Sequence, residues 1–236
     1  LLLSDQWNIG ENPNGGYLII PALRAMQLNE SHKDPLSVTA HFLRQGTGNE
    51  QAEISTELIR SGRSVTTTRG TLRQSGTTRL ELMAAFGDLS ESSAHDYEIV
   101  IEPPDIPPPE ECLERSGEQQ GVDLVINNRV EMRMSSPDPE NTGQPKAEVS
   151  GWIRLVDGRD PDVLSLVLFA DAFPPPIFSY VGRVGWVPTI EFTAHIRKRP
   201  EPGWVQGKFW TEDLRDGRMI DCLLYTSPSP RDGLLS

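Results

Sequence analysis

The tripeptide Thr-Ala-His occurs twice inside alternating apolar and polar runs, and no other feature limits the fold of this chain so much. Leu36 to Arg44 reads LSVTAHFLR and Ile190 to Arg197 reads IEFTAHIR, which sets Thr39-Ala40-His41 beside Thr193-Ala194-His195. A period of two predicts strands with one buried face. Val38, Ala40 and Phe42 share that face in the first copy, and Phe192, Ala194 and Ile196 in the second. Each copy follows an apolar, proline-containing helical stretch and precedes further strand-like runs. The chain therefore reads as two similar units in tandem.

After the first copy come AEISTELIR, Ser61-Gly62, SVTTTRGTLRQ, Ser75-Gly76 and TRLELMAAFG, the pattern of an antiparallel meander. After the second, GWVQGKFWTEDL passes through Asp216-Gly217 into RMID. The spacing predicts a helix from Gly15 to about Leu28, GGYLIIPALRAMQL, apolar on nearly every side and so in need of a sheet around it. Pro21 is expected to kink it or delay its regular start. In the second unit, Asp160-Pro161 is the expected N-cap and first-turn proline before DVLSLVLFADAF. Pro174-Pro175-Pro176 should then end or redirect that helix.

The class is α+β, one buried helix enfolded by an antiparallel sheet, made twice. Residues 1–100 form the first unit, with its first strand expected to be missing. Residues 101–120 are a stiff proline-rich linker with no assigned chemistry. Residues 121–221 form the second unit, whose last strand is expected to be missing. From Cys222 the text CLLYTSPSPRD has no hydrophobic period and resembles the read-through of a sequencing adapter. Residues 222–236 are accordingly set aside as a non-native tail, with an authentic flexible tail as the alternative.

The 236 residues suffice for one large or two small domains. A net charge of -12 argues against a nucleic-acid partner but not against an anionic small ligand, since clustered arginines override net charge locally. Arg60, Arg63, Arg69 and Arg73, with Arg197, Lys198 and Arg199, are such candidates, although a solvated sheet face is the commoner role. The two cysteines have neither disulfide-framework nor metal-site spacing, and Cys112 reads as a free thiol. No apolar run reaches membrane-spanning length and no signal pattern opens the chain, so a cytoplasmic protein is expected. His41 and His195 read as packing or interface residues rather than bases, and neither a serine-esterase elbow nor a phosphate-binding glycine loop occurs.

Asp171 is the only carboxylate in LSLVLFADAF. Burying it unpaired is costly, and an acid at a helix C-terminus opposes the helix dipole. Spacing alone leaves two readings open: a cap for a stretch beginning at Ala172, or a functional acid. Asn14, Gly15 and Gly16 stand at the mouth of the first helix, where free N–H groups can hold a carbonyl or oxyanion. A plain turn and cap is the alternative. Thr189, at the start of the second Thr-Ala-His strand, is by residue type an ordinary strand position.

The pieces NGGYLIIPALRA, PLSVTAHFLRQG, RSGRSVTTTRGTLRQ, LMAAFGDL, ADAFPPPIF and GWVPTIEFTAHIR, from Trp7 to about Gly207, together resemble the acyl-CoA thioesterases of double hotdog fold, related to bacterial thioesterase II. The resemblance implies a tandem hotdog acting in fatty acid metabolism. It would hydrolyse acyl-CoA to free acid and CoA by direct attack of water, without cofactor or covalent nucleophile. It gives Asp171 the water-activating role and Thr189 that of the threonine holding the water. A third residue, a glutamine expected beyond Asp221, has no assignable counterpart, which leaves the activity of this chain open. A homo-oligomer is compatible with the family. Two other classes stay open: a hotdog hydratase or dehydratase, which needs an Asp–His pair, and a non-catalytic acyl-CoA-binding module.

Overall fold

The computed structural model describes residues 1–28, 32–90, 99, 101–116, 121–135, 146–182 and 187–226. A short ribbon of β1 (Asn8–Ile9) and β2 (Asn12–Pro13) leads into α1 (Gly15–Leu28), which has the bounds its composition predicts and continues through Pro21. Leu18, Ile19, Leu23 and Met26 of α1 are buried, each contributing about 1.5–3 kcal/mol. The meander that follows is β3 (Asp34–Phe42), β4 (Glu53–Ser61), β5 (Thr66–Gln74) and β6 (Thr77–Gly87). Ser75 and Gly76 take φ of 48° and 73°, the left-handed pair of a tight hairpin whose twist matches its strands.

The second half contains β7 (Leu113–Glu114), β8 (Val130–Met134), β9 (Glu148–Leu155), α2 (Val163–Ala170), α3 (Ile177–Val181), β10 (Glu191–His195), β11 (Val205–Arg215) and β12 (Arg218–Thr226). The N-cap of α2 is Asp162, not Asp160. Its carboxylate accepts from Ser165 N at 2.7 Å while Ser165 Oγ accepts from Asp162 N at 3.2 Å. That reciprocal box satisfies two groups where Asp160 would satisfy one, so the helix starts later than the proline suggested.

Two five-stranded antiparallel sheets result, in the orders β10-β3-β6-β5-β4 and β12-β11-β9-β8-β7. This is the expected tandem hotdog, with one exchange that the chain order does not show. The two Thr-Ala-His strands pair with each other, Thr39 opposite Thr193 and Ala40 opposite Phe192. Strand β10 therefore belongs to the sheet of the first half. The pairing turns both apolar faces toward one core, where Val38, Ala40 and Phe192 pack.

The linker is not a plain spacer. Its prolines cannot donate, but their carbonyls accept: Trp152 Nε1 donates to Pro107 O at 2.8 Å and Gln206 Nε2 to Pro104 O at 2.7 Å. Cys222–Thr226, set aside above, complete β12, with Trp210 opposite Cys222 and Gln206 opposite Thr226. The inner-face alternation of Leu223 and Tyr225 explains their place, since both pack on the second core. Residues 227–236 lie outside the described residues.

The two cores meet at the helices, where Tyr17, Ile20 and Leu166 touch both. A Cβ on Gly16 would lie 2.7 Å from Val167 O and 2.9 Å from Leu168 Cα. The start of α1 is thus pressed against the end of α2.

Candidate functional site

That crossing places Asp171, the residue just after α2, on the N-terminus of α1. Asp171 follows the last residue of α2 with φ -112° and ψ 3°, outside helical geometry. Its Oδ2 accepts from Gly15 N at 2.8 Å, Gly16 N at 3.2 Å and Asn14 Nδ2 at 2.8 Å. Asn14 Nδ2 also donates to Asp171 O at 2.7 Å, while Asn14 Oδ1 accepts from Tyr17 N at 2.9 Å as the helix cap. The fourth N–H, of Leu18, donates to Asn14 O at 3.1 Å.

These contacts account for an acid at the end of α2 and for two glycines at the start of α1. The dipole of α2 opposes a charge at its end, but the positive end of α1 faces the same charge and compensates. The glycines admit a close approach, and what approaches is Asp171: a Cβ on Gly15 would lie 3.0 Å from Asp171 Oδ2. The first-turn donors expected to be free for an oxyanion are therefore all engaged within the protein.

The other oxygen, Oδ1, accepts from Thr189 Oγ1 at 3.3 Å. Thr189 is exposed and lies in the loop just before β10 rather than within the strand. Burial raises the Asp171 pKa, against the lowering effect of hydrogen bonds from Gly16, Gly15 and Thr189. A carboxyl group with one oxygen fixed and the other reached by an exposed hydroxyl can accept a proton from a water bound there.

An open cavity of about 1020 Å³ lies beside the two helices, walled by Tyr17, Ile20, Leu164 and Leu168, with Arg24 and Arg159 also on its lining. Asp171 is not on its wall. Leu168 lies in the last turn of α2, just before Asp171, and its carbonyl accepts from Asp171 N at 3.3 Å.

Two residues without a role in the sequence reading approach this site. Arg115 of the linker donates from Nη1 to Ala172 O at 2.5 Å, and burial lowers its guanidinium to about 10. Tyr225 of β12 packs against Phe173 at 6.2 Å between centroids, and its pKa is raised by burial and then by the Asp171 charge. Its hydroxyl has no hydrogen-bond partner among the described residues. No periodicity marks a lone arginine in a proline-rich stretch, and Tyr225 fell in the discarded tail.

The remaining candidates stand elsewhere. Arg69 pairs with Glu57, Arg199 with Asp34 at 2.8 Å and Lys198 with Glu201 at 3.3 Å. His41 and His195 are exposed on the outer face of the β3–β10 pair. Among the described residues there is no cluster of three or more potential metal ligands, and no helix long and apolar enough to cross a membrane.

Comparison with known proteins adds to the geometry. The family model of the acyl-CoA thioesterase N-terminal domain matches residues 3–87, and that of the C-terminal domain matches residues 104–221. A solved structure from Thermobifida fusca, described as a thioesterase II, is 28% identical, with a TM-score of 0.83 over 96% of this chain and 85% of that one. A protein of Alicyclobacillus acidocaldarius with a hotdog fold is 20% identical, with a TM-score of 0.75 over 96% of this chain and 92% of that one. An uncharacterized protein of Mycobacterium tuberculosis is 24% identical over 86% of this chain and 77% of its own length.

Proposed function

We propose, on the premise that this chain belongs to the acyl-CoA thioesterase family, that it hydrolyses acyl-CoA to a free carboxylic acid and CoA, with Asp171 as the acceptor of the water proton. One observation carries the reading. Asp171 has a raised pKa, one oxygen fixed by the N-terminus of α1, and the other within 3.3 Å of the exposed Thr189 hydroxyl.

A water lying beside this hydrogen-bonded pair, in contact with both Asp171 Oδ1 and Thr189 Oγ1, would attack the thioester carbonyl. As its oxygen bonds to the carbonyl carbon, the proton passes to Asp171. Collapse of the tetrahedral intermediate breaks the C–S bond, and the CoA thiolate takes the proton from Asp171, which returns to its carboxylate form. Gly15, Gly16 and Asn14 act through Asp171 by holding it, and the apolar cavity beginning one turn away suits the acyl chain. The hydrogen-bond partners of the Asp171 carboxylate among the described residues include no histidine, which favours hydrolysis over a hydratase that needs one.

Incubation with a series of acyl-CoAs and a thiol reagent tests the reading, and release of free CoA is expected. Saturable binding without CoA release would identify a binding module instead, and water addition to an enoyl-CoA without CoA release a hydratase.

A further inference from the structure

Among the described residues of the linker, Arg115 is the one charged side chain that is buried. It is 6% exposed, and its backbone is fastened on both sides. Arg115 N donates to Met132 O at 3.1 Å, and Arg115 O accepts from Asn127 Nδ2 at 3.2 Å. Its guanidinium passes Met132 Sδ at 3.9 Å and ends on Ala172 O at 2.5 Å.

The two carbonyls that follow α2 are thus each held by a side chain from a distant part of the chain, Asp171 O by Asn14 and Ala172 O by Arg115. The run Pro174-Pro175-Pro176 just beyond has no N–H groups with which the local backbone could do the same. Burying a guanidinium is costly, and a packed apolar side chain would spare that cost while leaving Ala172 O without its donor. What the apolar side chain would not supply is a fixed donor beside Asp171.

We infer that Arg115 is a positioning residue for Asp171, a claim that builds on the hydrolytic reading above. It holds the turn after α2 so that the carboxylate stays on the Gly15 and Gly16 N–H groups, with Oδ1 toward Thr189.

The test compares the full chain with Arg115→Met by CoA release, by thermal melting, and by titration of the Asp171 carboxyl resonance in isotope-labelled protein. The expected result is a kcat loss of roughly 10- to 100-fold with KM nearly unchanged, as for a reacting group displaced by a fraction of an ångström. The Asp171 midpoint should move upward as its lowering hydrogen bonds loosen, while Tm falls by no more than the few degrees that one unsatisfied carbonyl explains. Arg115→Gln, which keeps an N–H donor, should restore part of kcat, and it takes over the comparison if Arg115→Met does not fold. An unchanged kcat and an unchanged Asp171 midpoint would overturn the inference, as would a kcat loss accompanied only by a fall in Tm. If the parent releases no CoA yet the midpoint still moves in the variant, the hydrolytic reading fails and the positioning role stands.

Discussion

Gly15 and Gly16 are neighbours, yet the structure gives them different duties. A Cβ on Gly16 would meet backbone atoms of α2 at 2.7 and 2.9 Å, and backbone cannot step aside cheaply. A Cβ on Gly15 would meet the Phe42 ring edge at 2.8 Å and Asp171 Oδ2 at 3.0 Å, both of them side-chain atoms that can move. Gly16→Ala should therefore lower Tm more than it lowers the activity of the molecules that remain folded. Gly15→Ala should do the reverse, because its accommodation displaces the carboxylate. Melting curves and CoA release on the two variants check the contrast. The Asp171 pKa adds a prediction with a defined sign. Its folded value is raised by burial above the ordinary value of about 3.9, so its stabilising contribution is present below that pH and lost as pH rises through the folded value. Asp171→Asn should thus melt higher than the parent near neutral pH, with the difference closing in acid. Activity runs the other way. It needs the ionised form, so the acid limb of kcat/KM should fall above the ordinary carboxylate range.

Elements differ in how much of them could be read from sequence. The bounds of α1 and the turns at Ser75-Gly76 and Asp216-Gly217 were legible because local rules decide them: apolar residues on all sides of a helix, and residue pairs suited to left-handed φ. The start of α2 was not, because the first-turn proline competed with a better cap at Asp162. Asp162→Ala should cost about 1 kcal/mol, seen as a shift in denaturant midpoint. The partner of β10 was illegible for another reason. Alternation reports which face is buried and carries no information about which strand lies alongside. The same limit hid the meeting of Asp171 with Gly15, since two helix ends 156 positions apart share no periodic signal. In β12 the inner residues Leu223 and Tyr225 fasten the hairpin to the second core. A chain ending at Asp221 should lose about 2 kcal/mol or more of stability through their removal.

At the scale of the whole molecule, neither half holds all the residues of the candidate site. The first supplies the helix N-terminus and Asn14, and the second supplies Asp171 and Thr189. The first sheet is completed by β10, a strand of the second half. Because β10 carries the same Thr-Ala-His pattern as β3, residues 1–100 expressed alone should self-associate through β3, pairing Thr39 regions across a twofold axis. Sedimentation would show a dimer or larger species without hydrolytic activity. The -12 net charge does not bear on this seam, where Thr193 Oγ1 donates to Thr39 Oγ1 at 3.3 Å.

The central claim is that a carboxylate from one half, seated on the helix start of the other, activates water against a thioester. It is tested most directly by the rate of CoA release in Asp171→Asn beside the parent chain, each shown by melting to be folded. The account predicts a fall of about 10²-fold or more in kcat with the fold retained, as for loss of a general base. A folded Asp171→Asn variant that releases CoA at the parental rate would contradict it.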